Sequence, residues 1–206
     1  MRKYKWFIDF EKEEKWLNEM AAKGWALKGK QNAYLFESGA EAETNIKIDY
    51  RQFTKSADFE EYKGIFADSG WQHIAGSKSS GNQYFKQVDT EADADIFSDD
   101  ISRAGRYKRI SHMCLSFMVA YLPLIFLFSW QEFFNFEAFS NPRSLFFTPG
   151  LWERSGLDFW SSFLFEAPFV LFRGYLPLLI ALSLIPFLVT SLKSWLLYRK
   201  ATNENR

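Results

Sequence analysis

The chain has 206 residues, with 25 basic and 25 acidic side chains, no formal net charge and 48% hydrophobic residues. Neutral balance without an evident basic face argues against nucleic-acid binding by phosphate neutralisation, and a single cysteine, Cys114, excludes an intrachain disulfide. Charge gathers in residues 1–110 and apolar residues in 111–198, so two kinds of material are joined end to end.

Met1–Phe10 (MRKYKWFIDF) leads into a charged helical pattern and not into a cleavable apolar signal, so the first apolar stretch is expected to act as its own insertion signal. Lys3–Phe10 reads as an aromatic strand. Glu11–Lys23 reads as a helix, with Trp16, Leu17, Met20 and Ala21 at helical spacing, Asp9 as N-cap and Gly24 as stop. Glu11, Glu13, Glu14 and Glu19 are expected to form a solvated face that complements the helix dipole. Strands are predicted over Trp25–Lys30, Ala33–Glu37 and Asn45–Phe53, the last with Ile46, Ile48 and Tyr50 on one face. A second helix follows, with Asp58 and Glu61 spaced as a capping box and an apolar stripe of Phe59, Tyr62, Ile65 and Phe66 ending at Gly70. Strands Trp71–Ala75 and Gln83–Gln87 close this part.

An offset of 46 residues superposes Phe7 on Phe53, Trp16 on Tyr62, Met20 on Phe66, Gly24 on Gly70 and Trp25 on Trp71. The pattern predicts an α+β fold made of a duplicated β-α-β-β unit: an antiparallel sheet of about six strands with both helices on one face. Each Gly-Trp pair is read as a left-handed helix stop followed by a tryptophan that starts the next strand. The aromatics Trp25, Trp71, Tyr34 and Tyr84 are the candidates for a ligand or partner surface on this module.

The run FEKEEKWLNEMAAKGW (Phe10–Trp25), with Tyr34-Leu35-Phe36, Asp49-Tyr50-Arg51, Gly70-Trp71 and Tyr84-Phe85-Lys86, resembles an uncharacterised bacterial domain-of-unknown-function family common in Gram-positive bacteria. The resemblance covers residues 3–88. It implies a membrane-attached cytosolic module, often encoded beside PadR-type repressors, with no established activity and no catalytic residues to carry over.

Residues 89–110 read as a charged linker, acidic from Asp89 to Asp100 and basic at Arg103, Arg106, Lys108 and Arg109, with Ser98 as N-cap of a long helix. The spacing of Asp89, Glu91, Asp93 and Asp95 invites a calcium-loop reading, but Ala94 stands where the turn needs glycine and Asp100 where a longer glutamate binds. Ser111–Trp130 and Gly174–Leu192 have the length and apolarity of membrane-spanning helices, forming a hairpin within residues 111–198. Flanking cations predict cytoplasmic N- and C-termini in a multi-pass protein of the cell membrane, the basic cluster touching anionic lipid. Pro123, Pro177 and Pro186 are read as packing kinks. The connection 131–173 holds thirteen Phe or Trp residues. Trp160, Phe163, Leu164, Ala167 and Leu171 predict an interfacial amphipathic helix there, with Glu166 and Arg173 as a candidate ion pair at the membrane surface.

His73 and His112 stand alone, with no Cys/His cluster, phosphate loop or nucleophile motif, so no metal, cofactor or catalytic site is predicted. The expected function is a non-enzymatic membrane protein whose cytosolic module binds a partner protein or ligand in a regulatory or sensory role. The alternative is an accessory or homo-oligomeric subunit of a transport or envelope-stress system.

Overall fold

A computed structural model describes residues 1–39, 44–130 and 141–203, with the side chains of 128–130, 173, 174, 177 and 178 outside the description. The chain divides into two units, Met1–Met113 with Thr190–Arg206, and Cys114–Val189.

In the first unit, Asp9 accepts hydrogen bonds from the Glu11 and Lys12 amides and starts α1 (Phe10–Ala22). Gly24 ends the turn after α1 and Gly70 the turn after α2 (Ser56–Asp68), with φ of 77° and 80°. An added Cβ at Gly70 would lie 2.7 Å from Ala92 Cβ and 2.8 Å from Asp89 Cβ, so both backbone and space require glycine. Strand β1 is only Arg2–Lys3, shorter than the predicted Lys3–Phe10. Beyond it Phe7 turns inward against Trp16 at 5.5 Å, and Asp9 is committed to the helix cap. Strands β2 (Trp25–Lys30), β3 (Tyr34–Ser38), β4 (Ile46–Tyr50), β5 (Trp71–Ala75) and β6 (Asn82–Gln87) fall close to their predicted places. The Asp58–Glu61 box is not used: Lys55 is the N-cap of α2, without a side-chain bond, and Asp58 sits inside the first turn.

All strand pairs are antiparallel, but the expected single sheet is two three-stranded sheets, ordered β1-β3-β2 and β4-β6-β5. Register slips between Leu27 and Gly29 in one sheet and between His73 and Ala75 in the other. Nor do both helices share one face. Tyr84 joins the core around Phe10, Leu17 and Met20 of α1, whereas its neighbour Phe85 joins Tyr62 of α2 and Trp71. Successive strand residues point to opposite faces, so α1 and α2 cover opposite sides of the second sheet. The first core also takes Tyr34 and Phe36 of β3 and Ile46 and Ile48 of β4, so α1 is shared by both sheets.

Asp89, Glu91, Asp93, Asp99 and Asp100 of the acidic stretch are exposed, while its backbone and apolar residues are tied to the module. Asn45 donates to Ala94 O at 2.7 Å, Gln87 donates to Ala92 O at 3.0 Å, and Ile96 packs on the second core. Asp99, not Ser98, caps helix α3 (Asp100–Trp130), accepting from the Ser102 amide at 2.6 Å. The last turns of helix α4 (Gly156–Asn203) also belong to this unit, where Ser111 of α3 donates to Ser191 O at 3.1 Å.

In the second unit, two short 3-10 turns, Pro142–Leu145 and Leu151–Glu153, precede α4, which runs unbroken through Pro168 and Pro186. The second apolar helix thus begins well before Gly174. Its inward residues are Phe159, Phe163, Glu166 and Val170, with Phe163 stacked on Phe146 at 5.2 Å. Of the predicted stripe, Trp160, Leu164 and Leu171 are exposed, while Phe163 and Ala167 are half-buried and Phe163 stacks on Phe146. Cys114 is buried. α3 and α4 are long and apolar enough to cross a membrane. The large apolar side chains they expose, among them Leu122, Phe126, Leu182 and Leu188, are ones that a lipid environment would cover.

Leu17→Ala is expected to destabilise the first unit by about 2–5 kcal/mol and Gly70→Ala by about 2 kcal/mol. Ile65→Ala, on an exposed face of α2, is expected to stay within about 0.5 kcal/mol. Denaturant unfolding of the full chain in mild detergent, followed by tryptophan fluorescence, checks the order.

Candidate functional site

The apolar stripe of α1 is Phe10, Glu13, Glu14, Leu17, Met20 and Ala21, all buried. Two carboxylates therefore occupy core positions, contrary to the expectation of a solvated acidic face; only 2% of Glu13 is accessible. Buried charge persists only when it is paired or hydrogen-bonded, and each glutamate has its own solution.

Glu13 Oε1 accepts from both Tyr34 and Tyr84, each at 2.7 Å. Tyr34 is on β3 and Tyr84 on β6, so one carboxylate ties the two sheets. Burial raises the Glu13 carboxyl above its ordinary range, against the two tyrosine hydrogen bonds that hold it down. The same burial, with the neighbouring carboxylate, raises both tyrosine hydroxyls and keeps them protonated donors.

Glu14 points to the outer edge of β4. Residues 46, 48 and 50 turn their backbone groups away from β6, where no further strand pairs with them. The Ile46 amide donates to Asn18 Oδ1 at 2.8 Å and the Ile48 amide to Glu14 Oε1 at 3.1 Å. Arg106 of α3 donates to Ile48 O at 2.7 Å, and Arg109 Nε donates to Tyr50 O. Asp49 Oδ1 takes the Tyr50 amide at 2.7 Å. The edge that would otherwise accept another strand is closed by side chains from α1 and α3.

The closing groups also pair with one another. Arg106 is bonded to Glu14, and Arg109 to Asp49, whose other oxygen accepts from Tyr62 at 2.9 Å. Lys47 lies 3.8 Å from Glu14 and 3.6 Å from Asp95, and Asp95 holds Arg103 at 2.6 Å. Arg106 is 1% accessible, and two of its nitrogens lack hydrogen-bond partners among the described residues. The rings of Phe10, Phe97 and Tyr107, 5.0–5.4 Å from the guanidinium carbon, surround it instead. Arg106 therefore cannot reach lipid headgroups, and Arg103 and Arg109 are committed to carboxylates.

The predicted surface aromatics lie elsewhere than at a surface. Tyr34, Tyr84 and Trp71 are buried and Trp25 is half-buried against the first core. Tyr34 and Tyr84 do come together, through Glu13. Glu166 accepts from the Phe147 and Thr148 amides in the second unit, while the side chain of its predicted partner Arg173 lies outside the described residues, as do residues 131–140 of the connection. His73 sits 3.0 Å from Gln83 Oε1 between the rings of Phe59 and Phe85, and burial lowers its pKa. No cluster of three metal-ligating side chains occurs among the described residues. Sequence reasoning missed Glu13, Glu14, Asp49, Arg106 and Arg109 as a group. A signal existed in the position of Glu13 and Glu14 on the Phe10–Leu17–Ala21 stripe.

This geometry defines an α+β unit clamped onto a helix that is long and apolar enough to enter a membrane. A family model described as a protein of unknown function (DUF2812) matches residues 9–119, and the chain belongs to that family. The match extends past residue 88 through Arg106 and Arg109. Comparison with curated proteins and with solved structures finds no match.

Removing one partner of the buried pair, as in Arg106→Met or Glu14→Gln, is expected to cost about 3–5 kcal/mol, and the double variant less than the sum of the two. A double-mutant cycle by denaturant unfolding reads the coupling. Glu13 supplies a pH dependence of known sign. Its folded pKa is raised above the ordinary 4.5, so its contribution to stability is present below 4.5 and lost as pH rises through the folded value. The stability of Glu13→Gln minus that of the natural chain should increase with pH above 4.5, measured by unfolding midpoints across the range.

Proposed function

We propose that the chain is an integral membrane protein with cytoplasmic termini, whose cytosolic module binds a partner protein or ligand in a regulatory, non-enzymatic role. The observation that carries this reading is the clamp of Arg106 and Arg109 on β4. A tilt or shift of α3 would break bonds to Ile48 O, Tyr50 O, Glu14 and Asp49 together, so the state of the membrane helix and that of the module are coupled. An open groove of about 660 Å³ beside the clamp, lined by charges of both signs including Glu11, Lys15, Lys47 and Asp95, offers a polar surface for a partner.

The module is also proposed to be an internal duplication. The matching strand orders support it. So do two register slips and two left-handed glycines, each pair separated by the same 46 residues.

Two measurements test the reading. Reporter fusions at Asn141 and at the C-terminus should report opposite sides of the membrane; the same side for both sinks the two-span topology. Crosslinking of the full chain in native membranes should capture a discrete partner, and Arg106→Met should weaken that capture while leaving the chain in the membrane. Capture that Arg106→Met leaves unchanged removes the coupling from the proposal, and no specific capture removes the binding role. A fragment ending at residue 95 is a poor bait, because it leaves Glu14 and Asp49 without their arginines. It is expected to be cleaved rapidly by protease where the full chain resists.

A further inference from the structure

We infer that the segment Arg2–Trp6 is a second membrane contact, a docking site for the anionic headgroup layer at the cytoplasmic face; this rests on the spanning reading above. The first eight residues carry three basic side chains and no acidic one: Arg2 and Lys5 are exposed, Lys5 with its ammonium 4.8 Å from the Phe7 ring, and Lys3 is half-buried with Nζ 3.6 Å from Met20 Sδ. Between them Tyr4 and Trp6 are 77% and 80% exposed, although the other aromatics of the segment's surroundings, Phe7 and Trp16, pack inward. Amphipathic rings interleaved with cations suit a bilayer interface, where the rings sit at headgroup level and the cations meet phosphate.

Position supports that occupant. Ser111 meets Ser191 where α3 and α4 run side by side, so one turn outward on each helix Tyr107 and Trp195 stand at a common level. Trp195 is 44% exposed with the Arg199 guanidinium 4.8 Å from its ring, a pairing characteristic of a helix leaving the hydrocarbon. Tyr107 holds the N-terminal segment at that level: its hydroxyl accepts from the Phe10 amide at 3.1 Å and donates to Asp9 at 3.2 Å. Trp6 is four residues from Phe10, at most about 14 Å of extended chain, and its indole can reach the interface. Of the basic cluster expected to touch lipid, Arg106 and Arg109 are taken by the β4 clamp and Arg103 by Asp95 and Asp100, so only Lys108 stays exposed, and the N-terminal segment adds cations to it.

The test uses the full chain in lipid nanodiscs. In a Cys114→Ala background, a polarity-sensitive fluorophore is attached at Tyr4→Cys, with Ser79→Cys, on an exposed loop, and Leu122→Cys, on the apolar helix, as references. Headgroup nitroxide lipid should quench the label at residue 4 more than that at 79, and more in phosphatidylglycerol-containing discs than in pure phosphatidylcholine. Replacing Arg2, Lys3 and Lys5 by Gln should remove the dependence on anionic lipid, each cation weakening the contact by about fivefold, and 1 M salt should do the same by screening. Quenching at 122 by acyl-chain nitroxide with none at 4 overturns the anchor alone. Quenching at neither overturns the spanning reading with it. Shielding of residue 4 from aqueous iodide without lipid quenching also overturns the anchor, in favour of a protein contact.

Discussion

The outer edge of β4 is the constraint on which the soluble unit depends. A strand buried at its edge must find partners for each backbone amide and carbonyl that faces away from its sheet. Here the partners are Asn18, Glu14, Arg106, Arg109 and Asp49, drawn from two helices and from the strand itself. Because these groups occupy the edge, no strand of the other sheet can pair there, and α1 with α3 takes the place a neighbouring strand would have.

Charges brought into this joint are held by each other. Glu14 serves the Ile48 amide and Arg106 at once, and Asp49 serves Arg109, the Tyr50 amide and Tyr62. Buried ion pairs contribute little net stability against apolar residues of the same shape, yet removing one member leaves an uncompensated charge. Such a joint favours one register of α3 on the module over others. Apolar packing of Phe10 and Tyr107 alone, with ring centroids 5.1 Å apart, would specify that register less sharply.

The family match ending at residue 119 agrees with this physical boundary better than a division at 88. The first unit takes in α3 as far as Met113 and the end of α4, so the segment between the sheets and the apolar part of α3 is structural. Ile96 lies on the second core, Phe97 lies over Arg106, and Asp95 pairs with Arg103 and Lys47. A composition shift marks where charge becomes dense, but it does not tell a tether from a strap.

Local chemistry settled several features before any fold was known. Asp9 as a cap, Gly24 and Gly70 as stops, the strands beginning at Trp25 and Trp71, and two helices of membrane-spanning length all follow from interactions within a few residues, which sequence spacing records. Tertiary structure alone decided that Glu13 and Glu14 are buried, that the sheets are separate, that α1 and α2 cover opposite faces, and that Arg106 turns inward. Those outcomes depend on partners 21 to 92 residues away, from Tyr34 for Glu13 to Arg106 for Glu14, and a charged side chain carries no local mark of whether it will meet water or a distant partner.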